Sequence, residues 1–297
     1  MLRKLEHAIA AREPLRVGGT NALRLVDGEG DGLPGIEIED FAARWLVQTR
    51  DAVFPEWLRG VRGPRALYWK RLGEQKEAPV WVEGERVMEP FEVTENGMRF
   101  WIDFSAGYSQ GIFLDQRENR AEVRRRADGK RVLNCFAYTC AFGVAAALGG
   151  AETVNIDLSK RYLEWGRRNY ELNGVIDKAG HEFIYGEVLN WLQRSARKGR
   201  RFDLVILDPP TFSRDKGGRV FTVGKGFPEL VRAAEEVLTE KGTLFCSTNL
   251  RTLTGEGFRR LIGEGLACPG AWRMEERRMP PDFTGERYLK ACWVDRR

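Results

Sequence analysis

A strand–helix–strand pattern between residues 131 and 157 constrains the fold of this chain more than any other stretch. The run VLNCFA is apolar enough for a buried parallel strand, and it breaks at Tyr138 and Thr139 before a small-residue helix, AFGVAAALGG. A second buried strand, TVNID, ends on Asp157. A βαβ unit of this kind suits a nucleoside-containing cofactor, because its turn approaches the ligand and its acid accepts hydrogen bonds from ribose hydroxyls.

The turn of this unit lacks the glycines of a dinucleotide-binding loop. Asn134, Phe136, Tyr138 and Cys140 stand where a G-x-G-x-x-G loop would let pyrophosphate reach a helix N-terminus. A cofactor without phosphate is therefore expected, and S-adenosylmethionine (SAM) has ribose and adenine but no phosphate. The same pattern also occurs in other α/β proteins, with a carboxylate at a strand end by chance. Later motifs have to decide between these two interpretations.

Composition and charge are compatible with several classes of protein. The chain has 297 residues, with 48 basic and 43 acidic side chains and a net charge of +5, which is compatible with a nucleic-acid partner without requiring one. No apolar run reaches the roughly 18 residues that span a bilayer, and the amphipathic start of the chain contains acids, which argues against a secretory signal. The five cysteines form no C-x-x-C pair, so neither a metal site nor disulfides are indicated. These features predict a cytoplasmic protein without membrane association.

The pattern of turns and runs divides the chain. Residues 1–15 read as an N-terminal helix. Residues 16–104 contain short alternating runs separated by Gly, Asp and Pro, as in an antiparallel module, and the Asn-Gly at 96–97 predicts a β-hairpin. This stretch is predicted to be a small, mixed but mainly β domain. Residues 105–297 alternate five or more strands with helices, which predicts an α/β fold with a doubly wound, largely parallel Rossmann-like sheet.

Two further places suggest cofactor contacts. A loop enters a helix at about residue 115, and Gln110, Asp115 or Arg117 could close over the cofactor there; a solvated helix face is the alternative. Glu187 follows the third strand of the larger domain, where an acidic group would meet adenine.

The sequence Asp208-Pro209-Pro210-Thr211-Phe212 ends the fourth strand of the larger domain. Open α/β sheets bind ligands at this edge. The two prolines stiffen the backbone, and a carboxylate, rigid carbonyls and an aromatic ring suit a flipped-out base. Together with the phosphate-free cofactor turn, this motif predicts a SAM-dependent methyltransferase.

The sequence resembles the RlmK/RlmI-like family of 23S ribosomal RNA methyltransferases. The resemblance covers residues 20–297 and rests on GYSQGIFLDQRENR, VLNCFAYTCAFGVAAALGGA, NIDLSKRYLEWGRRNYELNG, FDLVILDPPTFS, GTLFCSTNLR and PPDF…CWV, with NALRLVDGEGDGLPGI similar to the family's small β domain. It implies RNA as the partner, as 23S rRNA or a ribosomal assembly intermediate. It also implies that the SAM site is lined by Phe113, Asp115, Arg117, Asn134, Ala137, Tyr138, Thr139, Asp157, Leu158, Glu187 and Asp208.

One departure from the family concerns RNA binding. Members with cytosine-C5 activity usually begin with a PUA-type RNA-binding domain, and here only residues 1–15 precede the β domain. RNA affinity is then expected from the β domain and from basic runs such as Arg124–Arg126 and Lys198–Arg201, although such runs are commonly just solvated.

The second departure concerns the base that is modified. Forming 5-methylcytosine requires a thiolate, and that branch has Phe-Ser-Cys-Ser after strand five; here Cys246 lies inside an apolar run and reads as a core residue, while Asn249 stands about where the nucleophile falls. The guanine-N7 branch, with Ser-Asn-Asn, is more similar. We therefore expect Asp208 and the Pro209 carbonyl to hold a guanine edge, Phe212 to stack and Asn249 to add a polar contact. The alternatives are cytosine-C5 methylation with Cys246 as nucleophile, and a non-catalytic RNA-binding or assembly factor.

Overall fold

A computed structural model describes residues 1–73, 77–107, 109–177, 180–214 and 220–297. They form two compact units. The first unit contains Met1–Arg117 and a late segment, Pro280–Arg287; the second contains Glu118–Met279 and Tyr288–Arg297. The first unit therefore extends past the boundary near residue 105 that the sequence predicted, and it includes a segment that no local pattern had assigned to it.

The first unit is a mainly β structure with one helix packed on it. Its described elements are α1 (Leu2–Arg12), β1 (Ala22–Asp27), β2 (Ile36–Phe41), β3 (Arg44–Thr49), β4 (Ala66–Arg71), β5 (Val80–Gly84), β6 (Phe91–Glu95) and β7 (Met98–Ile102). Strands β1 to β5 form one sheet in chain order. Leu5 and Ala8 of α1 pack into the core of this sheet, since the apolar positions of the helix lie on one face.

The hairpin predicted around Asn96-Gly97 is confirmed. Strands β6 and β7 pair antiparallel, and Asn96 and Gly97 have φ of 48° and 73°, the left-handed values that a tight hairpin turn requires. The larger sheet differs from a purely antiparallel module, because β3 and β4 pair parallel. The long connection between these two strands, which contains the short helical turn Glu56–Leu58, allows the chain to return in the same direction.

The second unit is a doubly wound α/β structure. Its described elements are α2 (Arg117–Arg126, whose first residue belongs to the first unit), β8 (Arg131–Cys135), α3 (Ala141–Leu148), β9 (Glu152–Asp157), α4 (Lys160–Leu172), β10 (His181–Tyr185), α5 (Val188–Arg197), β11 (Phe202–Leu207), β12 (Phe212–Arg214), β13 (Val220–Thr222), α6 (Val223–Glu235), β14 (Leu238–Thr248), α7 (Gly255–Gly265), β15 (Trp272–Arg277) and β16 (Lys290–Arg296).

The main sheet of this unit has the order β10-β9-β8-β11-β14-β16-β15. Strands β10, β9, β8, β11 and β14 are parallel, and β16 runs antiparallel to both of its neighbours. The sequence predicted the parallel strands and the final strand but not β15, whose run WRMEER has too few apolar residues to signal a strand. The short β12–β13 ribbon was also missed.

Helices cover both faces of the sheet. Cys246 and Leu244 of β14 belong to the core that packs against α5, α6 and α7. Phe245, which points the other way, has its ring centroid 5.5 Å from that of Phe142 in α3 and 5.0 Å from that of Trp293. Successive residues of a strand face opposite sides, so the continuous apolar runs of the sequence reflect burial on both faces. Within the described residues, no helix has the length and apolarity needed to cross a membrane.

Candidate active site

The predicted site residues of the second unit lie at one edge of its sheet. Because β8, β9, β10, β11 and β14 are parallel, the segments that follow them leave the sheet at the same side, the carboxyl edge. The residues that the structure brings to the last two positions of these strands or to the segments that follow them are Asn134, Ala137, Tyr138, Thr139, Asp157, Leu158, Glu187, Asp208, Pro209, Phe212 and Asn249.

The turn between β8 and α3 has an unusual backbone. Phe136, Tyr138 and Cys140 have φ of 58°, 48° and 60°, a left-handed conformation that non-glycine residues rarely adopt. Hydrogen bonds hold the turn in this shape: the Ala137 N–H donates to the Ile156 carbonyl at 2.9 Å, and the Cys140 N–H donates to the Ala137 carbonyl at 2.7 Å. Strain of this kind persists where the surrounding structure enforces it, which is typical of ligand-binding turns.

Asp157 joins this turn to the next strand. Its Oδ2 accepts from the Tyr138 N–H at 2.8 Å, and its Oδ1 accepts from the Ser159 N–H at 2.8 Å. Burial raises the pKa of the Asp157 carboxyl above its ordinary value, and the hydrogen bonds from Tyr138, Ser159 and Leu158 oppose that shift. The carboxylate thus shapes the turn, and the remaining lone pairs of its oxygens can accept hydrogen bonds from a ligand.

Asn134 lies in a buried polar network beneath the turn. Its Nδ2 donates to Asn155 Oδ1 at 2.9 Å, and Asn155 Nδ2 donates to the Tyr170 hydroxyl at 3.0 Å. A Cβ atom at Gly143 would lie 2.1 Å from Asn155 Oδ1, so only glycine lets α3 approach this network. Asn134 therefore has a structural role in addition to its predicted contact with the cofactor.

The second cluster forms where β11 and β14 end. The Ser247 hydroxyl donates to Asp208 Oδ1 at 2.6 Å, and Ser247 is fully buried. Pro209, which follows Asp208 in the chain, is buried, whereas Phe212 is 57% exposed and Asn249 is also exposed. A carboxylate of fixed orientation, followed four residues later by an exposed aromatic ring, offers groups of the kind that bind the edge and the face of a planar ring.

Glu187 begins α5. Its Oε1 accepts from the Leu189 N–H at 2.9 Å and its Oε2 accepts from the Asn190 N–H at 2.7 Å, so the carboxylate caps the helix. A contact of Glu187 with adenine stays a prediction.

Three predicted cofactor residues belong to the first unit. Phe113 is 47% exposed, and Asp115 is buried in the short helical turn Leu114–Gln116. The Arg117 guanidinium makes a bidentate ion pair with Asp282, with Nη2 to Oδ1 at 2.6 Å and Nη1 to Oδ2 at 2.9 Å, and both side chains are almost fully buried. Arg117 thus holds the late segment of the first unit, and its role toward a cofactor stays a prediction.

Comparison with known proteins identifies the family. The S-adenosylmethionine-dependent methyltransferase family model matches residues 39–286. Ribosomal RNA large subunit methyltransferase K of Neisseria meningitidis is 33% identical over 269 residues, which are 87% of this chain and 73% of that protein. The chain belongs to the SAM-dependent methyltransferase family.

Further relatives of this methyltransferase agree. Ribosomal RNA large subunit methyltransferase I of Aeromonas salmonicida is 33% identical over 286 residues, covering 91% of this chain and 71% of that protein. The solved structure of SMU.776 complexed with SAH has a TM-score of 0.89 and 29% identity, and covers 99% of this chain and 80% of that one. The predicted enzyme class, cofactor and Rossmann-like fold are therefore confirmed.

The carboxyl edge of the methyltransferase unit fits an adenosyl group. Asp157 offers carboxylate acceptors for ribose hydroxyls, and the apolar side chains of Leu158 and Tyr185, each 41% exposed, suit an adenine ring. The turn after β8 offers no glycine loop for phosphate, in keeping with a phosphate-free cofactor. SAM supplies an electrophilic methyl group when bound, and the residues named here would bind and orient its adenosyl part.

Two residues that contact predicted site residues were not expected from the sequence: Ser247 binds Asp208, and Asp282 binds Arg117. Ser247 lies in the apolar run of β14. A hydroxyl in such a run could have indicated a polar partner on a neighbouring strand. Asp282 lies in the PPDF motif, whose residues carry no local signal of a partner. Its partners Arg117 and Arg24 are 165 and 258 residues away in the chain, so no local pattern could pair them.

Proposed function

We propose that this methyltransferase modifies 23S ribosomal RNA and forms N7-methylguanine. Two of the relatives reported above are named as large-subunit ribosomal RNA methyltransferases, and the Asp208 carboxylate with exposed Phe212 suits a planar base at the carboxyl edge. The observation that carries the choice of guanine N7 is the burial of Cys246.

Cytosine-C5 chemistry would require an accessible thiolate. Cys246 is fully buried in β14 between core residues, and this burial raises the pKa of its thiol well above the ordinary value, with the nearby Cys292 adding to the shift. A thiol in such surroundings is neutral and unreactive. Asn249, which stands about where the family's nucleophile falls, is exposed and carries an amide.

None of the other cysteines is placed to serve as the nucleophile instead of Cys246. Cys135, Cys140 and Cys292 are buried, and Cys268 is exposed but precedes β15, at the opposite edge of the sheet from Asp208. All five are free thiols, which fits the reducing cytoplasm in which we place the enzyme.

Guanine N7 carries a lone pair and needs no covalent activation. The protein's task is then to bind and orient the base: Asp208 and the Pro209 carbonyl at its edge, Phe212 on its face and Asn249 as a further polar contact. Positioning of this kind can supply about 7–11 kcal/mol at best. Asp208 needs only to orient the base in this chemistry, because no proton has to be removed from N7.

The direct test is mass spectrometry of nucleosides from 23S rRNA of cells with and without this gene. We expect 7-methylguanosine at one position to disappear when the gene is removed, and to return when purified enzyme and SAM are added to that rRNA. Loss of 5-methylcytidine instead would overturn the guanine assignment. Unchanged rRNA, with SAM bound but no turnover on any RNA, would favour the non-catalytic assembly factor.

A second test uses RNA that contains 5-fluorocytosine. A cytosine-C5 enzyme forms a covalent protein–RNA adduct on this substrate, since its thiolate adds to the ring and the fluorine blocks release. We expect no adduct. A trapped adduct that is lost in Cys246→Ala would establish the cytosine alternative.

A further inference from the structure

The position of the active site at the carboxyl edge of the main sheet limits where RNA can bind. This inference rests on the proposed function, that is, on RNA as the substrate. Asp157, Asp208 and Asn249 stand at the carboxyl edge of the sheet, so the modified base has to reach that edge. The surface that holds the flanking RNA must then be continuous with it.

The basic runs that the sequence offered lie at the other edge. Arg124–Arg126 precede the first residue of β8, and Lys198–Arg201 precede the first residue of β11. Both runs are therefore at the amino edge of the sheet, and strands of this length separate the two edges by about 20 Å.

Several of these arginines also have acidic partners. Glu122 Oε1 is 2.6 Å from both Arg125 Nη2 and Arg126 Nε, and Arg126 also approaches Asp295 at 3.2 Å. Arg200 Nη2 is 2.5 Å from Glu182 Oε1. A paired arginine contributes less net positive potential to a surface, so these runs are poor candidates for RNA.

The carboxyl edge has its own basic residues, on the side of the sheet formed by β14, β16 and β15. Ser247 and Arg277 both pair with Ala291 of the antiparallel β16, so β14 and β15 end at the same edge. Arg251 follows β14 and Arg278 follows β15, and both are exposed. Lys290, the first residue of β16, lies beside Thr248 in the ladder.

An aromatic ring lies among these cations. The Arg251 guanidinium carbon is 4.6 Å from the centroid of the Tyr288 ring. Lys290 Nζ donates to the carbonyls of Leu250 and Tyr288, each at 2.9 Å, and so fixes both segments next to Asn249. Proteins commonly bind single-stranded RNA through arginine and aromatic side chains, because the cation binds phosphates and bases stack on the planar groups.

We propose that Arg251, Arg278, Tyr288 and Lys290, the carboxyl-edge patch, bind the RNA that flanks the modified base. The patch is continuous with Asn249 and Asp208 through the ends of β14 and β16. RNA reaches the active site from this side, and the basic runs at the amino edge take no part.

The test compares two pairs of neutralising substitutions. Arg251→Gln/Arg278→Gln removes two charges just beyond β14 and β15. Lys241→Gln/Arg273→Gln, the matched control, removes two exposed charges near the beginnings of the same strands. Each variant thus loses two of the 48 basic side chains, and a general charge effect would be equal in both.

Binding to unmodified 23S rRNA transcript is measured at several salt concentrations, together with methylation kinetics. We expect the carboxyl-edge variant to bind about tenfold more weakly (about 1.4 kcal/mol) and its salt slope to fall by about 0.7 for each lost phosphate contact. Its KM for RNA should rise while kcat at saturating RNA and the affinity for SAM stay unchanged. The control should match the wild type in all of these.

Three results would overturn the inference. Equal loss in both variants would indicate a general charge effect, and an unaffected carboxyl-edge variant would remove the patch. Loss of RNA affinity in Lys198→Gln/Arg201→Gln, with the carboxyl-edge variant intact, would assign the RNA to the amino edge. Wild-type enzyme that neither binds nor methylates rRNA would instead overturn the proposed function, and the inference with it.

Discussion

At the scale of single residues, Asp157 has a structural task in the turn and a proposed task in cofactor binding. It accepts hydrogen bonds from the backbone of Tyr138, Ser159 and Leu158, and we propose that it also accepts from the ribose of SAM. Asp157→Ala should weaken SAM binding by about 1.5–3 kcal/mol, roughly ten- to a hundredfold, since hydrogen bonds to a charged group are lost. Asp157→Asn keeps one acceptor oxygen, so its affinity for SAM should lie between those of the wild type and Asp157→Ala. Calorimetry on folded variants measures this, and unchanged affinity would remove Asp157 from the site.

We propose that Ser247 is a positioning residue for Asp208. Its hydroxyl donates to the carboxylate at 2.6 Å from a fully buried position. Ser247→Ala should lower kcat by about ten- to a hundredfold, because one hydrogen bond to a charged group is worth about 1.5–3 kcal/mol, while KM for SAM stays unchanged. Ser195→Ala, which removes a buried hydroxyl from α5, is the matched control and should leave kcat alone. A similar loss in both variants would point to a general effect on the fold.

Removing Cys246 distinguishes guanine-N7 from cytosine-C5 methylation, because only the cytosine reaction needs this thiol. It belongs to the core of the second unit and is fully buried. Cys246→Ala should therefore keep substantial activity and lose only about 1 kcal/mol of stability. Activity and the urea midpoint are measured on the same preparation. Complete loss of activity at nearly unchanged stability would contradict the guanine-N7 proposal.

At the scale of elements, α2 carries a small ion-pair network that reaches β16 through Arg126 and Asp295. The hydrogen bond from Arg125, with further contributions from Arg126, lowers the pKa of Glu122 from 4.5 to about 2. Arg126 also lies over the Trp293 ring at 4.1 Å. Arg126 thus links the helix to β16, whereas Arg125 and Glu122 pair within the helix.

The sign of the pH dependence follows from that depressed pKa. The stability contributed by ionised Glu122 is complete above 4.5 and is lost as the pH falls toward about 2. Because Arg125 is 69% exposed, Glu122→Gln should cost only about 1 kcal/mol at neutral pH, and the variant and the wild type should converge in acid. Urea unfolding across this range measures the difference. A gap that persists at the acid end would contradict the assignment.

At the scale of the whole molecule, Asp282 ties distant parts of the chain into the first unit. Its carboxylate accepts from Arg117 and from the Arg24 N–H at 2.9 Å, and its carbonyl accepts from Arg12 at 2.8 Å. Asp282→Ala should lower the free energy of unfolding by about 3–5 kcal/mol, because it leaves the Arg117 charge buried without this partner.

Asp295→Ala is the control for this substitution. Asp295 pairs with Arg126 but is 33% exposed, so its removal should cost about 1 kcal/mol or less. Equilibrium unfolding in urea compares the two. Similar costs for both variants would show that the buried pair contributes no more than a surface one.

The sequence by itself determined most of the elements, apart from β15 and the β12–β13 ribbon, and the polar residues that follow the parallel strands. The apolar runs before Asp157 and Asp208 are local signals of buried parallel strands, and parallel strands place their carboxyl ends at one edge whatever the details of packing. The same local signals predicted the hairpin at Asn96-Gly97, the end of α4 at Asn173-Gly174 and the core position of Cys246.

Only the tertiary structure decided which polar side chains meet. The Ser247–Asp208 bond joins neighbouring strands 39 residues apart, and the Arg117–Asp282 pair spans 165 residues. It also showed that β15, which the sequence did not predict, brings Arg278 to the same edge of the sheet as Arg251. Charge patterns along a chain do not specify which end of a sheet they reach, because that depends on strand order and direction, which are set by long-range packing.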